Sequence, residues 1–243
     1  MIKSLFIRLG GRMIKVDIMS VRYTDINISG RDIPKLRGYF ANKYKENTLF
    51  HNHLGTGFNY TFPKIHFRAI DNNPVLIGIN EGIEVLKEIV FNEDEINIDG
   101  KIYQINEKNI TQKTYPFGEA ASMIHYKFIS PWMALNEENY KIFVTLSDLD
   151  KWFFLNRLLR ENFKTLAKGF NYFIPDIESV QVEGKYYNKL VNFKNQKMLC
   201  FTGWFKTNFH IPDYFGLGKQ SARGFGSIVK QEKKGVKDDS KTV

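Results

Sequence analysis

Two short stretches carry residue types whose spacing suits chemistry. The first is His51-Asn52-His53 within "LFHNHLGTG". In an extended segment, side chains two residues apart point the same way, so both imidazoles can address one substrate atom group. Histidine takes or gives a proton near neutrality. Two close imidazoles resist being charged together, so one proton shared by the pair leaves one ring as base and the other as acid. Any displacement in which a proton leaves one oxygen and another reaches a departing oxygen suits that division of labour. The same H-x-H spacing also occurs in zinc and iron sites, which need a third ligand. His66 or a distant Glu could supply it, although no cluster of acids lies nearby. His66, His125 and His210 read as strand-face or core histidines.

The second stretch is "GLGKQSARGFG", residues 216–226, with glycines at 216, 218, 224 and 226. It is neither a P-loop nor a dinucleotide fingerprint, because GxxxxGK[ST] is absent and Ser221 stands where GxGxxG needs glycine. Glycine lets a backbone approach a ligand closely. Successive amides with Lys219 and Arg223 between them would then make an anion-binding nest. A nucleic-acid backbone is the partner such a loop suits. Composition agrees: 35 Lys and Arg outnumber 26 acids, and the net charge of +9 favours a polyanion. Aromatic side chains at 15% suit base stacking as well as core filling. The lone Cys200, in the apolar run "MLCFTGW", excludes an intrachain disulfide and reads as a buried thiol. The N-terminal apolar stretch is too short and interrupted for a signal peptide or membrane span, so a cytoplasmic protein is expected.

These residues need a scaffold. Residues 13–24 alternate as a strand, and "SGRDIPKLRGYFANKYKE" reads as a helix opened by Asp32 and Pro34. Gly38 inside that helix costs about 1 kcal/mol against Ala, which points to close packing or a backbone contact there. "FNYTFPKIHFRAI" and "VLIGI" are strands, with Pro63 breaking the register of the first. "NEGIEVLKEIVF" is a second helix, and "IDGKIYQINEK" a last hairpin or strand. The order β-α-β-β-α-β is the ferredoxin-like signature of an α+β fold with antiparallel sheets. A second unit begins near residue 118, in "TYPFGEA". Its helix "SDLDKWFFLNRLLRENFKTLAKG" opens on a Ser147/Asp150 capping box and stops at Gly169. Leu149, Trp152, Phe153, Leu159, Phe163 and Leu166 form its expected buried stripe, and Arg157, Arg160, Lys164 and Lys168 a basic face. Strands are expected near 178–183, 188–194 and 198–209. The expected organisation is an N-terminal ferredoxin-like domain over 1–118, a C-terminal one over 119–231, and a disordered basic tail over 232–243. Residues 1–12 read as an extension.

The loop at 216–226 resembles the C-terminal Gly-h-Gly-x(5)-Gly-h-Gly loop of CRISPR-associated repeat-processing endoribonucleases, Cas-six type members of the RAMP superfamily. "FISPWMAL" at 128–135 is similar to the segment that opens their C-terminal domain. "LRGYFANKY", "LFHNHLGTG" and "VLIGINEG" resemble the subtype associated with I-B CRISPR systems. The resemblance implies tandem ferredoxin-like domains and cleavage of the repeat in precursor CRISPR RNA without metal or cofactor. Attack by the 2′-hydroxyl would leave a 2′,3′-cyclic phosphate and a 5′-hydroxyl. It also assigns proton transfer to His51 and His53. Tyr60 matches a position the subtype uses, and reads equally as a core aromatic with Phe58 and Phe62. The loop glycines, Lys219 and Arg223, with Arg157 and Arg160, would hold RNA. Expected partners are precursor and mature CRISPR RNA and other Cas proteins of an interference complex, with no membrane, the chain being monomer or homodimer. Two other readings remain open: a non-catalytic RNA-binding subunit, and a metal-dependent nuclease using the H-x-H pair.

Overall fold

The computed structural model of the protein describes residues 13–47, 49–50, 53–54, 57–58 and 62–231. The expected extension 1–12 and the tail from 232 lie outside the described residues. Strand β1 (Ile14–Tyr23) is apolar on both faces. Val16 and Ile18 enter one core cluster, and Met19, Val21 and Tyr23 another. Both faces of this strand must therefore be covered.

One face is covered by helices. In α1 (Ile33–Lys43), Ile33, Leu36, Phe40 and Ala41 are buried, and Pro34 sits in the first turn. Asp32 does not cap a helix amide; its carboxylate instead accepts from the Ser29 amide and hydroxyl, both at 2.9 Å. In α2 (Gly82–Asn92), Ile83, Val85, Leu86, Ile89 and Val90 join the same cluster. The ends of the two helices meet at the fully buried Glu93, which accepts from Lys43 Nζ and the Tyr44 hydroxyl, each at 2.7 Å. A buried carboxylate is tolerated when its oxygens are so occupied. This junction fixes the point from which the histidine segment departs.

Between the helices, β4 (Ile65–Ile70) and β5 (Asn73–Ile79) form a hairpin whose turn residues Asp71 and Asn72 take positive φ. Ahead of them, β2 (His53–Leu54) and β3 (Gly57–Phe58) make a separate two-stranded sheet. The segment expected to give the unit its last strand forms another separate two-stranded sheet, β6 (Glu95–Ile98) with β7 (Lys101–Gln104). The fourth strand is instead the first half of β8 (Lys108–Trp132), a strand of 25 residues paired with β1. The expected boundary near residue 118 thus falls inside one continuous strand.

The second half of β8 opens the C-terminal unit. It pairs with β10 (Gln196–His210), which pairs with β9 (Val182–Phe193), while the short β11 (Ile228–Lys230) closes on its other side. The seven strands form one antiparallel sheet in the order β4-β5-β1-β8-β10-β9, with β11 beside β8. Each half has the ferredoxin-like order of fourth, first, third and second strand. The two strands expected near 178–183 and 188–194 are a single strand, β9, preceded by a 3-10 turn at Ile177–Ser179.

Gly118 lets β8 serve both halves. Phe117 is buried before it, and Ile124, Tyr126 and Phe128 are buried after it, so the alternation changes phase. Pairing with β10 shifts just beyond it, between Glu119 and Ile124, which face Phe209 and Thr207. Gly118 sits at φ +127, where a Cβ would lie 2.9 Å from the Tyr172 ring. Glycine alone meets both demands.

Two helices cross the second half of the molecule: α3 (Glu137–Phe143), which sequence reasoning missed, and α4 (Asp148–Gly169). The Ser147 hydroxyl accepts from the Asp150 amide at 3.2 Å, capping the helix, and donates to the Asp150 carboxylate at 2.6 Å. The buried stripe of α4 is Leu155, Leu158, Leu159, Phe163, Leu166 and Ala167, with Asn156 inside it. Leu149 and Phe153, expected in that stripe, are exposed, while Trp152 reaches β9, its Nε1 donating to the Gly184 carbonyl at 2.7 Å. Gly169 is needed for contact: a Cβ there would meet Phe62 Cβ at 2.2 Å, and Asn171 supplies the left-handed turn. No described helix is long and apolar enough to cross a membrane.

One large core joins the halves. Val16, Ile18, Val75 and Ile77 from the back of the N-terminal sheet share a cluster with Leu159, Phe163, Phe205, Phe209 and Phe215 from the C-terminal unit. The second sheet face is covered by the neighbouring unit.

Candidate nucleic-acid interface

The loop Gly216–Gly226 occupies the stretch between β10 and β11 where a ferredoxin-like unit would place its second helix. Its own backbone folds it: the Leu217 amide donates to the Gly226 carbonyl at 3.0 Å and the Arg223 amide to the Gln220 carbonyl at 2.8 Å. Two bonds fasten it to the end of β8, from the Lys219 amide to the Met133 carbonyl (3.0 Å) and from the Gly226 amide to the Pro131 carbonyl (2.8 Å). From the other side the Phe67 amide on β4 donates to the Ala222 carbonyl at 3.1 Å. The loop is clamped between the two units.

Its two apolar residues act as pins. Leu217 enters the shared core, and Phe225 a small cluster with Met133 and Cys200. Burial pushes the Cys200 thiol up to about 11, so it is inert packing. The glycines serve the same closure. Gly226, at φ +63, would set a Cβ 2.0 Å from the Leu217 carbonyl oxygen, and Gly216 would set one 2.7 Å from both Arg68 Nη2 and the Ser221 carbonyl oxygen. Gly218 and Gly224 are likewise packed, against Met133 and Ile33. The sequence reading assigned the glycines to a ligand. The structure spends them on the protein's own packing, and several loop amides counted towards an anion nest are bonded internally. What the closed loop turns outward is cation: Lys219 is exposed and Arg223 half-buried.

The residue that holds this loop was missed in the sequence. Arg68 on β4 is 1% exposed. Its Nε donates to the Tyr214 carbonyl at 3.0 Å, and its Nη1 to the Ser221 carbonyl at 2.6 Å and to the Phe67 carbonyl at 2.8 Å. Its Nη2 donates to His66 Nδ1 at 2.7 Å. The other His66 nitrogen, Nε2, donates to the Pro63 carbonyl at 3.0 Å, so the ring is neutral with both nitrogens used. Burial first, and the Arg68 charge second, hold the His66 pKa well below its ordinary value. Burial alone draws the Arg68 guanidinium down to about 9. In the sequence, Lys64, His66 and Arg68 read only as the polar side of an alternating strand, and nothing local says that a loop some 150 residues later covers two of them.

Each half of the loop borders its own cleft. A cleft of about 590 Å³ is lined by Gly216 to Lys219, by Phe62 and Pro63, and by Arg157 of α4. A larger groove of about 1000 Å³ is lined by Arg223, Gly224 and Phe225, by Arg31, Lys35, Arg37 and Gly38, and by Lys189, Lys194 and Lys197 of the β9–β10 hairpin. Gly38 has open space where a Cβ would stand, so the close intramolecular packing expected there is absent. Arg37 donates to the Phe50 carbonyl at 2.9 Å. Burial and then the Arg223 charge lower its pKa, which places two like charges in one groove. The segment that carries the histidines is flanked by two held residues, Phe50 through Arg37 and Phe62 against Phe170 and Phe215. His51 and Tyr60 lie outside the described residues, and His53 is described only as backbone of β2, opposite Phe58. Of the basic α4 face, Arg157 lies 4.8 Å over the Phe154 ring at the smaller cleft, whereas Arg160 is ion-paired with Glu178 outside it.

Comparison with known proteins defines the class first. The fold is that of a CRISPR-associated Cas6 structure at TM-score 0.53, with 18% identity over 90% of this chain and 100% of that one. Family models described as the Cas6b N-terminal domain and the Cas6b C-terminal domain match residues 14–116 and 118–231, so the chain belongs to the Cas6b family. A Cas6b crystal structure matches at TM-score 0.85 with 37% identity, covering 90% of this chain and 100% of that chain. The crystal structure of a CRISPR RNA processing endoribonuclease Cas6b matches at TM-score 0.75 with 33% identity and the same coverage. An uncharacterized protein of Methanocaldococcus jannaschii is 36% identical over 146 residues, 60% of this chain and 98% of its own.

Proposed function

We propose that this protein is a metal-independent endoribonuclease that cuts the repeat of precursor CRISPR RNA. The observation that carries the reading is a loop locked by Arg68, turning Lys219 and Arg223 outward between two clefts, in a chain of the Cas6b family. A Cas6b homologue is itself described as a CRISPR RNA processing endoribonuclease. In the proposed reaction, the 2′-hydroxyl attacks the adjacent phosphorus and its proton passes to one of His51 and His53. The P–O5′ bond breaks as the other imidazole protonates the leaving oxygen. The products are a 2′,3′-cyclic phosphate and a 5′-hydroxyl. Lys219 and Arg223 hold the phosphates and offset charge developing on the phosphorane. Proton transfer by positioned groups contributes about 10² to 10⁴ each, and alignment of the 2′-hydroxyl with the scissile bond supplies much of the rest.

The test is incubation of labelled repeat RNA with the protein, with and without EDTA. Cleavage is expected in both. Replacing the ribose at the cut site by deoxyribose abolishes it, and His51→Ala/His53→Ala abolishes it while RNA binding persists. Cleavage only without chelator would favour the metal-dependent reading, and binding without cleavage in either condition the non-catalytic one.

A further inference from the structure

The β-sheet of the C-terminal unit has a second face, turned away from α4. Tyr126, Phe128 and Phe205 point to the α4 side and are buried. On the opposite side the strand register sets Lys185 of β9, Trp204 of β10, Lys127 of β8 and Val229 of β11 in one row. Tyr187 lies one step along β9 on the same side, opposite Thr202, with Lys185 Nζ 5.7 Å from its ring centre. Trp204 is 37% exposed and Tyr187 50% exposed. The carboxylate of the next row, Glu183, is taken up by Lys206 at 2.8 Å. A central strand therefore presents an open indole flanked in register by two lysines, with a phenol ring alongside.

We propose that this face binds a single-stranded segment of RNA, with bases stacked on Trp204 and Tyr187 and phosphates met by Lys127, Lys185 and Lys189. The inference rests on RNA being the substrate. Charge favours this occupant over a protein partner, because lysines border the rings on both neighbouring strands, whereas a protein-docking patch is depleted of lysine at its centre. Stacking tolerates any base, because every base offers a π-face, and basic side chains between the rings follow the backbone. The path also has a continuation. On β9 the same side runs on through Lys189 and Phe193, which line the groove holding Arg37 and Arg223. At about 3.3 Å per residue, Lys185 to Phe193 spans roughly 26 Å, so an RNA strand laid over Trp204 is delivered to the glycine loop.

The test uses full-length protein and a repeat RNA made uncleavable by deoxyribose at the cut site. Wild type, Trp204→Ala, Trp204→Phe, Tyr187→Ala and a control, Tyr140→Ala on α3, which packs on β10 through Phe143 and the buried Phe201, are compared for affinity. Thermal melting checks that each is folded. Trp204→Ala is expected to weaken binding about fivefold or more, the low end for one lost stack. Trp204→Phe should keep most of the affinity, and Tyr140→Ala all of it. Ultraviolet cross-linking of the same RNA should mark peptides of β9 and β10. Trp204→Ala and Tyr187→Ala binding like wild type, with no cross-link to those strands, would overturn the proposal and return the face to a protein partner. Wild-type cleavage of unmodified RNA is read in parallel. Cleavage with normal binding by Trp204→Ala sinks the stacking face alone, wild type that binds but never cuts sinks the endoribonuclease reading alone, and wild type that does not bind sinks both.

Discussion

Two arginines a short loop apart do opposite work. Arg68 is buried and each of its three guanidinium nitrogens bonds within the protein, so its role is to keep the loop shut. Arg223 is half-buried beside the like-charged Arg37, so its charge is left for an anion. Arg68→Met should strand the Tyr214 and Ser221 carbonyls and lower stability by about 2–4 kcal/mol, as lost charge-assisted bonds and unsatisfied buried groups do. Lys219→Ala and Arg223→Ala should leave stability nearly unchanged but reduce the salt slope of RNA binding by about 1 each, the signature of one lost phosphate contact. An unchanged slope over a salt series would remove them from the interface. His66 adds a pH term. Its folded pKa lies well below the ordinary value, so below the free-histidine range the unfolded chain takes up a proton that the native ring refuses. Stability is complete above that range and falls with acid, at up to about 1.4 kcal/mol per pH unit. His66→Gln, followed by denaturant melts from pH 7.5 to 5, should flatten the slope. At this scale the sequence yielded the outward charges of the loop, because composition and spacing are local. Arg68 stayed hidden because its meaning comes from what folds over it.

Among the elements, glycines separate two demands that look alike in sequence. Gly216 faces fixed neighbours, the Ser221 and Phe225 carbonyls as well as Arg68, so Gly216→Ala cannot be relieved by one side chain moving. It should open the loop, lower the melting temperature and weaken RNA binding together. Gly38 is in a helix with empty space around its α-carbon, facing the basic groove. Gly38→Ala should raise stability by about 1 kcal/mol from helix propensity alone. If RNA backbone occupies that space, the same substitution weakens binding, so the two readouts move in opposite directions. Both helices of the first unit and the Ser147 N-cap of α4 were legible, since caps and periodicity are local signals. The length of β8 was not. Its polar first half pairs with β1 without a buried face of its own, so the stretch 98–108 reads as the last hairpin or strand. Leu149 and Phe153 read as core because apolar spacing along a helix does not say which of its faces a sheet will cover.

At the level of the whole molecule, the two units are joined by packing as well as by chain. The strand β8 runs unbroken through both, and Phe117, within it, touches Phe170, Tyr172 and Phe209 at ring-centre distances of 4.9, 5.7 and 5.2 Å. Phe62, just after the histidine segment, packs on Phe170 and Phe215 in the same cluster. A core shared in this way should unfold as one body, although each half has a complete ferredoxin-like strand order of its own. Calorimetry is expected to give a single transition whose measured enthalpy matches the van't Hoff value. Phe117→Ala, which empties a fully buried site, should cost about 3–5 kcal/mol and shift that whole transition downward. Two independently stable domains would give a different record, with one peak moving and the other staying where it was. That outcome would mean the clefts on either side of the loop can move apart. A single moving peak would mean that Arg37, Lys219 and Arg223 are held in fixed relation before any RNA arrives, as in-line attack requires.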